Sequence, residues 1–324
     1  MSTQSEVEGM LIIRGNFSGG HMGHSFHTLD VFTKTRFSGN PLAVVLDADD
    51  LDETSMQAIA MEFNLSETVF VMGPENPAHT AKLRIFTPAR ELPFAGHPTI
   101  GTAVLLAELK YASDTEQEAI IVLEEAVGAV RVGVVLKPGE AAYAEFDLPS
   151  PPKALEGPGD RDAVARAIGL SGSDIGFDNH KPTNFSAGVP YGFVPVRDMS
   201  VLARAVPMTA LWKGARFGEP AHSGVYVYTS ETSNPDHGFR ARMFAPEFGI
   251  TEDPATGSAA AAFAGVVEKF EALGTGRHVL PIEQGYEMGR PSLITLEVEF
   301  DAGRLENARI GGQALRVSEG TLQA

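Results

Sequence analysis

The stretch Glu252-Asp253-Pro254-Ala255-Thr256-Gly257-Ser258-Ala259 joins a strand-like run, Arg240 to Phe244, to an apolar helical pattern that continues to Phe270. Small residues let a backbone approach a ligand closely. A helix start carries N–H groups without intrahelical partners and therefore favours an anion. Asp253 places an acid just ahead of that start. The same arrangement occurs earlier, in Ala95-Gly96-His97-Pro98-Thr99-Ile100-Gly101-Thr102-Ala103. Pro98 matches Pro254, Gly101 matches Gly257, Thr102 matches Ser258 and Ala103 matches Ala259, each pair 156 positions apart (98 to 254). On that offset His97 falls opposite Asp253. Upstream, Arg84-Ile85-Phe86-Thr87-Pro88 matches Arg242-Met243-Phe244-Ala245-Pro246. A weaker echo pairs Phe37-Ser38-Gly39-Asn40-Pro41 with Phe185-Ser186-Ala187-Gly188-Val189-Pro190. The chain reads as two related halves, each presenting a helix N-terminus beside a polar side chain.

A chain of 324 residues is long enough for two domains of ordinary size. Its 43% hydrophobic and 21% charged residues fall in the range of soluble globular proteins. The net charge of −17 argues against a nucleic-acid surface and against adhesion to anionic lipid. Cysteine is absent, which excludes disulfides, thiolate metal sites and cysteine nucleophiles. No uncharged apolar run reaches the roughly 18 residues of a membrane span. The N-terminus carries Glu6 and Glu8 with only a short apolar run, Met10 to Ile13, and is not a secretory signal. The expected location is the cytoplasm.

Residues 1–25 show no sustained period and are expected to form a flexible extension. His21, His24 and His27 have no acid or thiol to complete a metal site, so a flexible His-containing leader is the better reading. The first half is expected to begin at Phe26, with strands at Phe26 to Phe32 and Leu42 to Leu46. Met56, Ile59, Ala60 and Phe63 fall at i, i+3, i+4 and i+7, which predicts an amphipathic helix capped by Asp52 or Thr54 and ended by Asn64. Leu65 to Val71 leads into another strand. Thr99 to Leu109 and Thr256 to Val267 are apolar on nearly every side, and such helices are enclosed. Each half is therefore expected to wrap a sheet around one central helix. Strands follow at Ala119 to Leu123, Val130 to Leu136 and Ala142 to Leu148. Pro149-Ser150-Pro151-Pro152 is the expected linker between domains at 26–148 and 153–312. Near the end, Ala308 to Ile310 and Ala314 to Val317 read as strands separated by a Gly311-Gly312 turn.

With these stretches in view, the chain from about Phe26 onward resembles the phenazine-biosynthesis PhzF-like family. Phe37 to Pro41, Asn64-Leu65-Ser66-Glu67-Thr68, Phe86-Thr87-Pro88, Leu92 to Pro98, Arg242 to Pro246, Glu252 to Ala259 and Gln284 to Ser292 carry the resemblance in one order. It implies a diaminopimelate-epimerase-like α+β fold: two similar domains, each a curved, mostly antiparallel sheet around a central helix, with the active site between them. It also implies that the last strand, about 313–324, crosses back to the first domain. By the same resemblance the protein is a homodimer that uses no metal or cofactor. The type member isomerises dihydro-hydroxyanthranilate by moving a proton, but shared fold does not fix a shared substrate.

Glu67 is, by that resemblance, the acid/base. Leu65, Val69 and Phe70 also make its surroundings apolar, which favours the protonated form. The plainer role is an exposed turn acid. His97 and Asp253 are the next catalytic candidates, holding a substrate amine or hydroxyl or relaying a proton to Glu67. Their plainer roles are a core histidine bonded to a carbonyl and a helix N-cap. Gly257 and Ser258 suit a substrate carboxylate, and Gly96 and Thr102 lie on the mirrored helix start. Close helix–sheet packing is the plainer role for the glycines. Arg84, Arg242 and Arg290 are weaker anion-binding candidates, because outward strand positions and an ion pair between halves explain them equally well. Trp212, the only tryptophan, is expected in the core or at an interface. Without thiols, any proton transfer relies on carboxylate, imidazole or hydroxyl. The expected function is a cofactor-independent isomerase acting on a small cyclic or amino-acid-like carboxylate. A one-base epimerase, or a non-catalytic metabolite or protein binder on the same scaffold, is the alternative.

Overall fold

The computed structural model of the protein describes residues 23–111, 114–218, 224–246 and 249–324. The first half contains β1 (His24–Val31), β2 (Asn40–Val45), α1 (Glu53–Phe63), β3 (Glu67–Met72), β4 (Ala81–Phe86), β5 (Glu91–Leu92), α2 (Gly96–Lys110), β6 (Gln117–Glu125), β7 (Gly128–Leu136) and β8 (Ala142–Asp147). The second contains β9 (Lys153–Ala154), α3 (Arg161–Ala167), β10 (Thr183–Ser186), β11 (Pro190–Pro195), α4 (Met199–Arg204), α5 (Trp212–Ala215), β12 (Val225–Thr229), β13 (Phe239–Ala245), β14 (Ile250–Asp253), α6 (Gly257–Phe270), β15 (Gly276–Gln284), β16 (Ser292–Asp301) and β17 (Arg304–Leu322).

Strand pairing closes the first set into a ring. β1 pairs with β2, β2 with β3, β3 with β4, and β4 with β6. β6, β7 and β8 follow in antiparallel order, and β17 joins β8 back to β1. Closure leaves these strands no free edge. The second set runs β9-β10-β11-β12-β13-β15-β16-β17. Among the described residues it has no hydrogen-bonded pair between β9 and β17. Strand β17 thus serves both sets: its start pairs with β16, its middle with β8, and its end with β1.

The two enclosed helices expected from sequence are present. Helix α2 lies against β1, β2, β3, β6, β7, β8 and β17, and α6 lies against β9, β10, β11, β16 and β17. Residues 96–105 of α2 and 257–267 of α6 are buried almost without interruption. One apolar core runs through both sets of strands, from Leu29, Ile100 and Val132 to Phe263 and Ile294.

Alternation along the strands decides what reaches that core. In β3, Val69 and Val71 point inward, while Phe70 packs outward under α1 with Met56, Ala60 and Phe86. Helix α1 has its Asp52 cap, whose carboxylate accepts from Ser55 N at 2.8 Å, and ends at Asn64 with φ 51°. The same alternation sends Arg84 of β4 outward to Glu91 and Glu53, and Arg242 of β13 outward to Glu252 and the carbonyls ending α4. Trp212 is buried in an outer cluster with α3 and α4, its Nε1–H donating to Ala167 O at 3.1 Å.

Two sequence expectations change. Strand β1 begins at His24, so the expected extension is shorter than 1–25; residues 1–22, His21 included, lie outside the described residues. His24 and His27 are buried in that strand, and no group of three or more potential metal ligands occurs among the described residues. Second, Gly311-Gly312 is not a turn, because β17 continues through it. A Cβ on Gly311 would lie 2.3 Å from Tyr143 Oη, and one on Gly312 would lie 2.4 Å from Phe32 Cδ1. The glycines make room for rings crossing a continuous strand. Lys153-Ala154, just past the Pro-rich segment, pairs with β10. Among the described residues no helix is long and apolar enough to cross a membrane.

The starts of α2 and α6 meet head to head. A Cβ on Gly96 would lie 2.8 Å from Gly257 Cα, and one on Gly257 would lie 3.0 Å from Gly96 Cα and 3.2 Å from Phe32 Cζ. The obstructing atoms at Gly96 are backbone, which cannot rotate away. Gly96→Ala is therefore expected to destabilise the protein by about 1–3 kcal/mol through overpacking. Thermal denaturation checks this, and an unchanged melting temperature would show that the two helix ends separate freely.

Candidate active site

Asn40 begins β2 on the same inward face as Leu42 and Val44, and Glu67 begins β3 on the same inward face as Val69 and Val71. Register places the two strands side by side, with Leu42 opposite Glu67. Both polar side chains therefore emerge at the mouth of the ring, over the start of α2. His97 is the second residue of that helix, and Asp253 closes β14 just ahead of α6. The head-to-head glycines bring these groups from both halves into one place.

Glu67 Oε2 lies 3.4 Å from His97 Nε2, and neither atom has a hydrogen-bond partner among the described residues. His97 Nδ1 lies 3.2 Å from Asn40 Nδ2. The same Asn40 nitrogen donates to Asp253 Oδ1 at 2.9 Å and to Ala255 O at 2.8 Å. Asp253 Oδ1 also accepts from Ser66 Oγ at 3.0 Å, and its Oδ2 accepts from Thr256 Oγ1 at 2.5 Å. Gln284 fixes the segment by donating to Asp253 O and Thr256 Oγ1 and accepting from Thr256 N.

Two buried carboxyls near one another cannot both ionise cheaply. Burial raises the pKa of both, and the Asp253 charge raises Glu67 further. Asp253 has three side-chain donors that favour its anion, whereas Glu67 has none. The proton therefore resides on Glu67 and the negative charge on Asp253. Divergent environments of this kind separate an acid from its ionised neighbour. Burial lowers His97 to about 3, so the imidazole is neutral near pH 7.

A cleft of about 280 Å³ opens onto this cluster. Glu67, Asp253, Thr256, Ser258 and Tyr191, with Thr87, Arg90 and Glu91, supply its polar surface; Leu92, Phe94, Val189, Met243 and Ile250 supply apolar walls. The size suits a small metabolite. Ser258 Oγ and Tyr191 Oη are 2.8 Å apart, and burial pushes the phenol pKa upward. Neither α2 nor α6 has a side-chain cap, and Ser258 on the first turn of α6 lines the cleft, so that start keeps N–H groups for a ligand. Arg90 lies at the edge of the cleft.

Of the residues chosen from sequence, Glu67, Asp253 and Ser258 line the cleft, and His97 sits behind Glu67. Gly96 and Gly257 form the helix contact. Thr102 is fully buried nearly two turns along α2 and does not line the cleft. The three arginines are engaged elsewhere. Arg290 binds Asp30 at 2.5 Å and the carbonyls of Ser38 and Gly39 at 2.8 Å each, anchoring the loop before Asn40. Sequence reasoning assigned no role to Asn40, Ser66, Thr256 or Gln284, although all four lie within stretches that carry the family resemblance.

The model of the phenazine biosynthesis-like protein family, PhzC-PhzF, matches residues 29–320. The chain belongs to this family. It is 50% identical over 295 residues to an uncharacterized isomerase of Mesorhizobium japonicum, covering 90% of this chain and 96% of the relative. It is 34% identical over 306 residues to the trans-2,3-dihydro-3-hydroxyanthranilate isomerase of Pseudomonas chlororaphis, covering 92% and 99%. The crystal structure of a PhzF-family phenazine biosynthesis protein from Bacillus anthracis superimposes with a TM-score of 0.81 at 26% identity, over 93% and 99% of the two chains.

A further buried carboxyl, Glu125 at the end of β6, lies against the first turn of α2. Glu125 Oε1 accepts from Thr99 Oγ1 at 2.7 Å, its Oε2 is buried without a partner, and burial raises its pKa to about 8. A raised folded pKa gives stability that is complete below the unfolded value of 4.5 and lost as pH rises towards 8. The slope is about 1.4 kcal/mol per pH unit across that window. Glu125→Gln retains the acceptor for Thr99 and does not titrate. Its melting temperature relative to wild type should therefore climb between about pH 5 and pH 8. A constant difference over that range would mean that Glu125 is already ionised in the fold.

Proposed function

We propose that the protein is a cofactor-independent isomerase that moves a proton within a small cyclic or amino-acid-like carboxylate, of the dihydro-hydroxyanthranilate type. The observation that carries this reading is Glu67: a protonated, cleft-facing carboxyl with an unpartnered buried oxygen, set between two uncapped helix starts. The isomerase names of the relatives support it.

The substrate carboxylate sits against the N–H groups at the start of α6 with the Ser258 hydroxyl, where the helix dipole and hydrogen bonds favour an anion. The apolar walls cover the rest of the ring or side chain. Glu67 gives its proton to one carbon and, as carboxylate, takes a proton from another on the same face, so the net reaction is a proton shift. Burial and the Asp253 charge raise the Glu67 pKa well above the usual carboxylate value, which suits it to deliver a proton. Asp253 and His97 do not exchange that proton with water; they hold the geometry and the charge around it. The two strand sets act as two lobes derived from a duplicated unit, and their closure over the cleft excludes water. We further infer a cytoplasmic homodimer.

Proton exchange in heavy water tests this. Wild-type protein incubated with trans-2,3-dihydro-3-hydroxyanthranilate and a panel of small cyclic and amino carboxylates should place deuterium on one carbon of the true substrate. Glu67→Gln should slow that exchange at least ~100-fold while ligand binding by calorimetry persists. Full exchange by the variant would remove Glu67 from the mechanism. Binding without exchange in the wild type would make the protein a metabolite binder.

A further inference from the structure

We propose that Asn40 is a positioning residue that locks His97 in its Nε2–H tautomer, so that His97 meets Glu67 as a hydrogen-bond donor and not as a base. The role towards Glu67 rests on the reading of Glu67 as the acid/base. The tautomer itself rests only on geometry.

The orientation of the Asn40 amide is fixed first. One of its terminal atoms faces two acceptors, Asp253 Oδ1 at 2.9 Å and Ala255 O at 2.8 Å. Only the NH2 group can face both; an amide oxygen there would oppose two oxygens. His97 Nδ1 lies 3.2 Å from that same nitrogen. An amide nitrogen offers hydrogens and no usable lone pair. A proton on Nδ1 would therefore confront the Asn40 N–H groups. Nδ1 must be the lone-pair nitrogen, sharing an Asn40 hydrogen, and in a neutral ring the proton then resides on Nε2.

That Nε2–H faces Glu67 Oε2 at 3.4 Å, a distance too long for a good hydrogen bond in the protonated, resting carboxyl. When Glu67 releases its proton, Oε2 gains charge and the contact becomes charge-assisted, which shortens and strengthens it. The donor thus contributes more after proton transfer than before, which is the condition for accelerating a step. A histidine in the other tautomer would turn a lone pair towards the new carboxylate and oppose it.

Asn40 is itself held from the second half. Gly39 N donates to Pro291 O at 3.1 Å, and Arg290 donates to Gly39 O and Ser38 O. The amide therefore ties β2, the start of α2 and the segment preceding α6 to one point. Gln284 plays a comparable tethering part on the second side, but it touches neither His97 nor Glu67.

Long-range 15N–1H NMR of histidine-labelled full-length protein reads the tautomer directly. The protein has nine histidines, and His97 is assigned as the pattern missing in His97→Gln. The expected wild-type pattern is a pyridine-type Nδ1 and a pyrrole-type Nε2. A pyrrole-type Nδ1, or averaged shifts of the two nitrogens, would overturn the proposal without any variant. Asn40→Asp places an oxygen where the NH2 stood: as a carboxylate it turns lone pairs to His97 Nδ1, and as a carboxyl its one O–H is drawn to the ionised Asp253, again leaving lone pairs for Nδ1. The His97 nitrogens should then shift towards the Nδ1–H form, whereas a merely structural role for Asn40 would leave them unchanged. Retention of the sole Nε2–H form in a folded Asn40→Asp protein would overturn the assignment to Asn40. A locked Nε2–H tautomer in a protein with no exchange activity would keep the tautomer assignment and sink the Glu67 reading, so the two failures are distinguishable.

Discussion

Two helix N-termini meet at Gly96 and Gly257 with only glycine backbone between them. Each end carries partial positive charge, so bringing two together is unfavourable unless negative charge collects nearby. The chain supplies it through Asp253, ionised beside the start of α6, and through a cleft open to an anionic ligand. The structure depends on this contact in a second way. It brings Glu67 and His97 of the first strand set within one network with Asp253 of the second, and Asn40 joins them. Side chains at those two positions would separate the helix starts and divide the site.

The network also explains why one carboxyl keeps its proton. Glu67 and Asp253 share burial and a low-dielectric surrounding, and they differ in donors. Ser66, Thr256 and Asn40 all donate to Asp253, while no described residue donates to Glu67. The acid in the cleft is thus produced by withholding hydrogen bonds from one group and lavishing them on the other. The outward arginines fit the same logic. Arg84, Arg242 and Arg290 neutralise acids away from the cleft floor, so no guanidinium among them stabilises the Glu67 carboxylate.

Strand β17 sets the relation between the halves. It pairs in turn with β16, β8 and β1, and the apolar core is continuous on either side of it. Gly311 and Gly312 read as a turn because glycine pairs commonly mark one. They instead leave space for Tyr143 and Phe32 against an unbroken strand. No local pattern distinguishes these uses, since the reason is a ring arriving from elsewhere in the fold.

The sequence by itself determined the two enclosed helices, the amphipathic α1 ending at Asn64, and the polar residues beside each helix start. Those features follow from periodicity, capping chemistry and a recurrence along the chain, all of which are local. It also brought Glu67, His97 and Asp253 forward, with their stretches carrying the resemblance to the family. Only the tertiary structure decided that Asn40 belongs with them, that Thr102 faces no cleft, that Tyr191 meets Ser258, and that Arg290 braces the loop before Asn40. The physical reason is distance along the chain. Asn40 reaches His97, Asp253 and Ala255 across 57, 213 and 215 positions, and such contacts exist only once the strands close around the helices.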